Sequence, residues 1–392
     1  MSYSLKEEIS INATILQTIG QTPLISLSNM NTPDEAQVLF KYERYNPGGS
    51  IKDRAALYLV ETAEQKGWLK PGGTLIESSS GNFGISLAMI GAAKGYRVII
   101  LVDPKTTAAN LALMKGFGAE VIVVTEQDDS GSYHKTRIAL ANRLASEIPD
   151  AYRPDQCFNR LNQEAHYQGT AREIFEQCSG KLGAFITAVS TGGQLGGISR
   201  FFKTYAPQVQ IVGVDAIGST IFGGEANAYR TPGVGLSWTP VNLTLSNLDY
   251  AYKVSDAAAF ATARAFARHE GILMGPSSGA CALVALKLAR QIDSKQQIVC
   301  MVSDGGDRYI HTLFDDEWMH GQGFSTTASI AEIRNLAYEL EPWSESPSEC
   351  ANEKMSLIES LHVPQTTLLA NAELHIRQMQ QEKKAPVSAF LD

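Results

Sequence analysis

Cysteine is scarce in this chain and no motif pairs it. Five occur among 392 residues (Cys157, Cys178, Cys281, Cys300 and Cys350), an odd number with no Cys-x-x-Cys spacing. That pattern argues against a disulfide scaffold, a Cys-x-x-Cys-His haem attachment and a zinc framework, and leaves free thiols suited to a reducing compartment. No metal site is expected. Long hydrophobic runs are missing too: none approaches the ~18 apolar residues that read as a membrane span. Met1–Glu8 has no apolar signal-peptide core, so the expected location is the cytoplasm. Positive charge is in deficit, with 33 Lys and Arg against 41 Asp and Glu and a net charge of −8. A chain of that sign, with a pI near 5.5, is a poor binder of nucleic acid or anionic membranes.

What remains is ordinary: 44% hydrophobic and 19% charged residues, a soluble composition long enough for two domains and an appendage. Buried strands alternate with helical runs. Val38–Tyr42, Thr74–Glu77, Val98–Val102, Val121–Val124, Ala184–Val189, Ile211–Val214, Tyr250–Val254 and Ile298–Val302 read as strands. This alternation predicts an α/β fold with parallel sheets covered on both faces.

The stretch Asn46-Pro47-Gly48-Gly49-Ser50-Ile51-Lys52-Asp53-Arg54 stands between a strand and a helix carrying Ala55, Ala56, Leu59, Val60 and Ala63. Pro47-Gly48-Gly49 forces a tight loop, and Ser50 with Asp53 three residues on is an N-cap pattern. Lys52 therefore falls in the first turn, where the helix dipole disfavours an ammonium and favours a neutral, nucleophilic amine. A surface lysine near a helix start is the plainer alternative. Ser78-Ser79-Ser80-Gly81-Asn82-Phe83-Gly84 turns from strand into helix and offers hydroxyls and backbone N–H groups to a carboxylate or phosphate. Ordinary N-capping explains the same residues. Arg137 begins the helix carrying Ile138, Ala141 and Leu144 and would suit a doubly charged substrate group if held near a polar loop. His166 sits in an Asn-rich turn and reads as structural; Cys157 is an inert thiol unless it lies at a substrate.

Strand Ala184–Val189 runs into Ser190-Thr191-Gly192-Gly193-Gln194-Leu195-Gly196-Gly197. Glycines let successive N–H groups converge on one anion. The loop lacks Walker A and dinucleotide-binding spacing, so it points to a phosphate without a nucleotide signature. Pro232-Gly233-Val234-Gly235 forms a loop, Ser277 is expected at a helix N-cap, and Ser303-Asp304-Gly305-Gly306-Asp307-Arg308-Tyr309 follows the last strand.

These loops, in this order over residues 15–318, resemble those of the fold-type II pyridoxal-phosphate enzymes, the cysteine synthase and cystathionine β-synthase family. The resemblance implies pyridoxal 5′-phosphate held by Lys52 as a Schiff base, its ring hydroxyl on Asn82, and its phosphate on Ser190, Thr191, Gly192, Gly193 and Gln194. It places the pyridine nitrogen on Ser277, and the substrate on Ser79, Ser80 and Gly81, with Arg137, Cys157 and Gly235 nearby. Phe83 stands where cysteine synthases carry threonine, and Gln194 where the cradle ends in threonine. Val214–Gly223, Gly306–Tyr309, Ser190, Phe83 and Thr136-Arg137 resemble one subgroup, the N-(2-amino-2-carboxyethyl)-L-glutamate synthases of 2,3-diaminopropionate biosynthesis in siderophore and antibiotic pathways. That implies β-replacement on O-phospho-L-serine through an aminoacrylate, with the amine of L-glutamate as nucleophile, by a homodimer. A sulfur-transferring synthase, a dehydratase and a non-catalytic homologue are the alternatives.

The expected domains are residues 1–45 with 151–320 (larger, cofactor-anchoring), 46–150 (smaller, mobile) and 321–392 (helical extension). In the extension, Ile330, Ile333, Ala337 and Leu340 make one amphipathic helix, and Leu369, Ala372, Ile376 and Met379 another, around a polar linker from Pro342 to Pro347.

Overall fold

A computed structural model of the protein describes residues 12–128 and 131–344. In chain order it runs β1 Leu24–Ser26, β2 Gln37–Tyr42, α1 Lys52–Gln65, β3 Thr74–Ser78, α2 Asn82–Lys94, β4 Arg97–Val102, α3 Ala108–Gly116, β5 Glu120–Val123, α4 His134–Glu147 and β6 Ala151–Tyr152. It continues through α5 Leu161–Ala165, α6 Ala171–Cys178, β7 Leu182–Ala188, α7 Gly193–Tyr205, β8 Gln210–Ala216, β9 Tyr250–Val254, α8 Asp256–His269, α9 Pro276–Ala289, β10 Gln297–Val302, α10 Asp316–Gly321 and α11 Ile330–Glu339.

Two sheets result. The larger has the order β1-β2-β10-β7-β8-β9 and the smaller β5-β4-β3-β6. All neighbours pair in parallel except β1, which is antiparallel to β2. The strands expected from the sequence all pair in parallel; β1, not among them, is antiparallel at that short edge, where no crossover helix is needed.

Alternate residues of the larger sheet fill two separate cores. Val38, Phe40, Ile186, Val212, Val214 and Cys300 face α8 and α9, whereas Leu39, Phe185, Ile211 and Val299 face α6 and α7. Period-two side-chain direction makes both faces apolar, which is why these strands read as continuous hydrophobic runs. The smaller sheet is covered by α1 and α2 on one face and by α4 on the other.

The smaller sheet takes its edge strand from Ala151–Tyr152, which pairs with Thr74–Leu75. It therefore extends past residue 150, the expected end of the smaller domain, and α5 packs on the same core through Ala165 and Leu161. Two residues are too few to show strand periodicity. α8 had no place in the sequence reading, because its alanine-rich run (Ala257, Ala258, Ala259) carries little periodic contrast. Helix α11 forms as expected, started by a Ser329/Glu332 capping box. It buries Ile333 and Ala337 against α8 and α9, and full burial of one isoleucine contributes about 1.5–3 kcal/mol. The second tail helix, part of the linker and Cys350 lie outside the described residues. No described helix is long and apolar enough to cross a membrane.

Candidate active site

Register brings the loops together. β10 lies between β2 and β7, with Val302 beside Tyr42 and Cys300 beside Ile186, so three strands end at one edge. The lysine loop leaves β2 there, the glycine loop leaves β7, and Ser303-Asp304 leaves β10. Open parallel sheets bind ligands at such carboxyl ends. Ser50 and Asp304 form an isolated bridge, which stitches the lysine loop to the end of β10.

Lys52 is the first residue of α1. The helix is not capped as expected. Ile51 occupies the N-cap position without a side-chain bond, Ser50 Oγ accepts from Lys52 N–H at 3.3 Å, and Asp53 turns back to accept from Gly48 N–H at 2.6 Å. Asp53 also accepts from Ser86 Oγ of α2 at 2.5 Å, so it holds the loop shut instead of capping. Burial lowers the Lys52 amine below its ordinary value, opposed only in part by the neighbouring Cys157 and Asp304. Among the described residues Lys52 forms no salt bridge, so nothing holds its proton in place.

Asn82 begins α2 and donates from Nδ2 to Asp304 Oδ2 at 2.8 Å, an oxygen that also accepts from Tyr309 OH at 2.7 Å. Asp304 Oδ1 is buried without a partner, and burial raises the carboxyl above its usual range. A Cβ on Gly275 would lie 2.0 Å from that oxygen. Ser277 is the second residue of α9, behind N-cap Gly275 and Pro276, and not the N-cap itself. Proline takes the first helical position because its ring presets φ and no N–H is needed there. The Ser277 side chain is 4% exposed, and among the described residues its hydroxyl has no hydrogen-bond partner.

In the glycine loop, Gly192 adopts φ 80° as the N-cap of α7, and Gly193 opens the helix. Thr191 Oγ1 accepts from Asn162 Nδ2 at 3.2 Å. A Cβ on Gly193 would fall on Asn162, and one on Gly196 would lie 1.7 Å from the Asn242 carbonyl. The glycines are thus required by close neighbours as well as by the turn. Ser190 Oγ donates to the Gly235 carbonyl at 3.4 Å. Gln194 turns its amide inward, donating to Thr187 Oγ1, to the Ala188 carbonyl at 3.0 Å and to Ser303 Oγ at 3.4 Å.

Ser79 Oγ accepts from Gly84 N–H at 3.0 Å, which serves the first turn of α2. Ser80 Oγ donates to Asp103 at 2.9 Å and accepts from Arg137 Nη1 at 2.5 Å. Arg137 is nearly buried and also lies 3.3 Å from Asp103. Burial lowers its guanidinium, with Asp103 and then Cys157 opposing; an arginine remains charged at neutral pH. Burial pushes the Cys157 thiol up to about 12, so it is a neutral neighbour of Lys52. Phe83 is buried in the smaller core. His166 is buried, shares a 2.9 Å hydrogen bond with Thr170, and is kept neutral by burial and then by the charge of Lys52. It is structural.

The sequence reading left Asp304, Tyr309, Asn162 and Asn242 without roles. Asp304 had a signal, an acidic residue directly after a buried strand. The two asparagines had none, because their contacts are long-range.

Comparison with known proteins agrees with this geometry. A family model described as pyridoxal-phosphate dependent enzyme matches residues 15–304. Cystathionine beta-synthase of Oryctolagus cuniculus is 37% identical over 329 residues, which is 82% of this chain; the chain spans 60% of that protein's length. The solved structure of O-ureido-L-serine synthase superposes with a TM-score of 0.73 at 32% identity, covering 79% of this chain and 100% of the other. A hydrogen sulfide-producing enzyme from Fusobacterium nucleatum gives 0.71 at 32% identity, covering 76% of this chain and 100% of the other. The chain belongs to the pyridoxal-phosphate dependent enzymes of fold type II, related to cystathionine β-synthase and cysteine synthase, a family whose cofactor is pyridoxal 5′-phosphate.

Proposed function

We propose that the protein catalyses β-replacement on O-phospho-L-serine with the amine of L-glutamate, giving N-(2-amino-2-carboxyethyl)-L-glutamate and phosphate. The residues present fit the cofactor. A serine hydroxyl without a partner on a buried residue (Ser277) suits the pyridine nitrogen, the loop Ser190–Gln194 with its positive-φ Gly192 suits a phosphate, and Lys52 offers an unpaired amine. Gln194 contributes backbone to that loop, since its side chain is already engaged. Asn82 would hold the ring hydroxyl. When bound, the cofactor supplies an electron sink for the pair left at Cα.

Lys52 takes the Cα proton and returns it. The donor carboxylate lies at Ser79, Ser80 and Gly81, near Gly235. The Cβ–O bond breaks with its electron pair on the departing phosphate, and the glutamate nitrogen forms the new bond to Cβ and loses a proton. The observation that carries this donor assignment is Arg137. Its guanidinium is nearly buried and fixed to Ser80, the group a doubly charged leaving phosphate needs and a neutral ester does not.

A sulfur nucleophile is the second reading, favoured by the 37% identity to cystathionine beta-synthase. The test is phosphate release from O-phospho-L-serine with L-glutamate or sulfide, and with Arg137→Gln. Glutamate-dependent release that falls at least about 100-fold in the variant supports the proposal, because a charged hydrogen-bond partner contributes about 1.5–3 kcal/mol and a buried one more. Release driven by sulfide alone would refute the acceptor. The same reading carries a cytoplasmic homodimer, which light scattering on the purified protein tests.

A further inference from the structure

A cleft of about 420 Å³ opens beside the reaction site, within the roughly 300–1,000 Å³ range of small-ligand sites. It shares Ser80, Gly81 and Asn82 with the site, and its opposite wall includes Gly233, where an added Cβ would lie 3.6 Å from Ser277 Oγ. Its charge is of one sign. Lys105 comes from the loop after β4, and Arg230 and Arg308 from the larger body; among the described residues no carboxylate lines it. Neither Lys105 nor Arg230 forms a side-chain salt bridge among those residues; Lys105 Nζ has only the Tyr133 ring at 5.9 Å, so no carboxylate holds either cation. A bound anion would pair with these exposed cations without displacing a carboxylate.

We infer that this cleft is the acceptor subsite and that it selects an amino acid with two carboxylates, held between Lys105 with Thr106 on one body and Arg230 with Arg308 on the other. The inference rests on the β-replacement reading above and assigns the residues that would hold and select its acceptor. Ser80 is common to the cleft and to the Arg137 contact, so the acceptor would lie next to the donor's Cβ. Because the anchors come from both sheets, a dicarboxylate would bridge them, whereas a neutral acceptor such as glutamine would leave one set unpaired.

The test uses holoenzyme with O-phospho-L-serine saturating and L-glutamate or L-glutamine varied, phosphate release being followed for wild type, Lys105→Gln and Arg230→Gln. Both residues are exposed, so the variants should fold. The expected result is a glutamate KM raised about tenfold or more in each variant, with kcat less affected and the preference for glutamate over glutamine reduced; each charge-assisted bond carries that much affinity. Wild-type turnover of glutamate with an unchanged glutamate KM in both variants would overturn the subsite and leave the reaction assignment standing. An equal rise in the donor KM, measured with O-phospho-L-serine varied at saturating glutamate, would overturn it as well, because the damage would then not be specific to the acceptor. A wild-type enzyme with no glutamate-dependent phosphate release would instead remove the reaction assignment on which the subsite rests.

Discussion

Replacing Arg54 with methionine removes the centre of a buried charge cluster while keeping the apolar stem. Arg54 lies two residues after Lys52, in the first turns of α1. Its guanidinium donates to Glu43 at 2.6 and 2.9 Å, to Glu173 at 2.6 and 2.8 Å, and to Thr22 Oγ1 at 3.2 Å. Glu43 follows β2 and Glu173 lies on α6, so the cluster ties the lysine helix to the larger sheet. Breaking a buried pair from one side costs about 3–5 kcal/mol, because an uncompensated charge stays behind. The lower end applies here: Glu43 keeps bonds from Asn46 Nδ2 and Thr22 Oγ1, and Glu173 keeps Lys41 at 2.9 Å.

A second route gives a similar size. Burial alone would raise Glu173, but hydrogen bonds and charge from Arg54, and then Lys41, pull it from 4.5 down to about 2. At about 1.4 kcal/mol per pH unit that is about 3 kcal/mol, shared between the two cations. A depressed carboxylate stabilises the folded state above its unfolded value and loses that contribution as pH falls through the folded one. Urea denaturation followed by tryptophan fluorescence should therefore show Arg54→Met about 3 kcal/mol less stable at neutral pH, with the gap narrowing between pH 4.5 and about 2. A loss below about 1 kcal/mol, or a gap unchanged across that window, would refute the reasoning.

Three further variants have expected outcomes. Lys52→Met should abolish turnover yet raise the melting temperature of the cofactor-stripped protein at neutral pH, since burial disfavours the Lys52 ammonium; the gain should shrink as pH rises toward the ordinary 10.5 and vanish above it, where the amine is neutral folded or unfolded. An unchanged or lower melting temperature at neutral pH would contradict it. Gly196→Ala should cost about 1–3 kcal/mol or more and loosen cofactor retention, read from cofactor absorbance after dialysis, because its Cβ would meet the Asn242 carbonyl. Gly116→Ala, which meets nothing within 4 Å in α3, should instead stabilise by about 0.4–1 kcal/mol; equal effects at the two sites would count against the packing argument.

The legible parts of the site were those written in consecutive residues. A proline-glycine loop before a helical run put Lys52 at a helix start, and glycines after a buried strand marked the cradle. Less legible were details that neighbours override. Asp53 was expected beside Ser50 as a cap, but Gly48 N–H and the Ser86 hydroxyl compete for it and win. Gln194 turns its side-chain amide to Thr187 and Ala188, a contact no local pattern shows, and leaves its backbone to the loop. Thr22, seen only as part of a turn, donates to Glu43 within the Arg54 cluster.

By itself the sequence determined the periodicities, the loop chemistry and their order, because strand alternation, helix spacing and turn residues act over a few positions. Only the tertiary structure decided which loops meet. Asn82 reaches Asp304 across 222 residues because β10 inserts between β2 and β7 and carries its loop to their shared edge, and Arg54 reaches Glu173 of α6 across 119. Strand order is a property of packed sheets, where two-sided burial selects among registers that any single strand would accept.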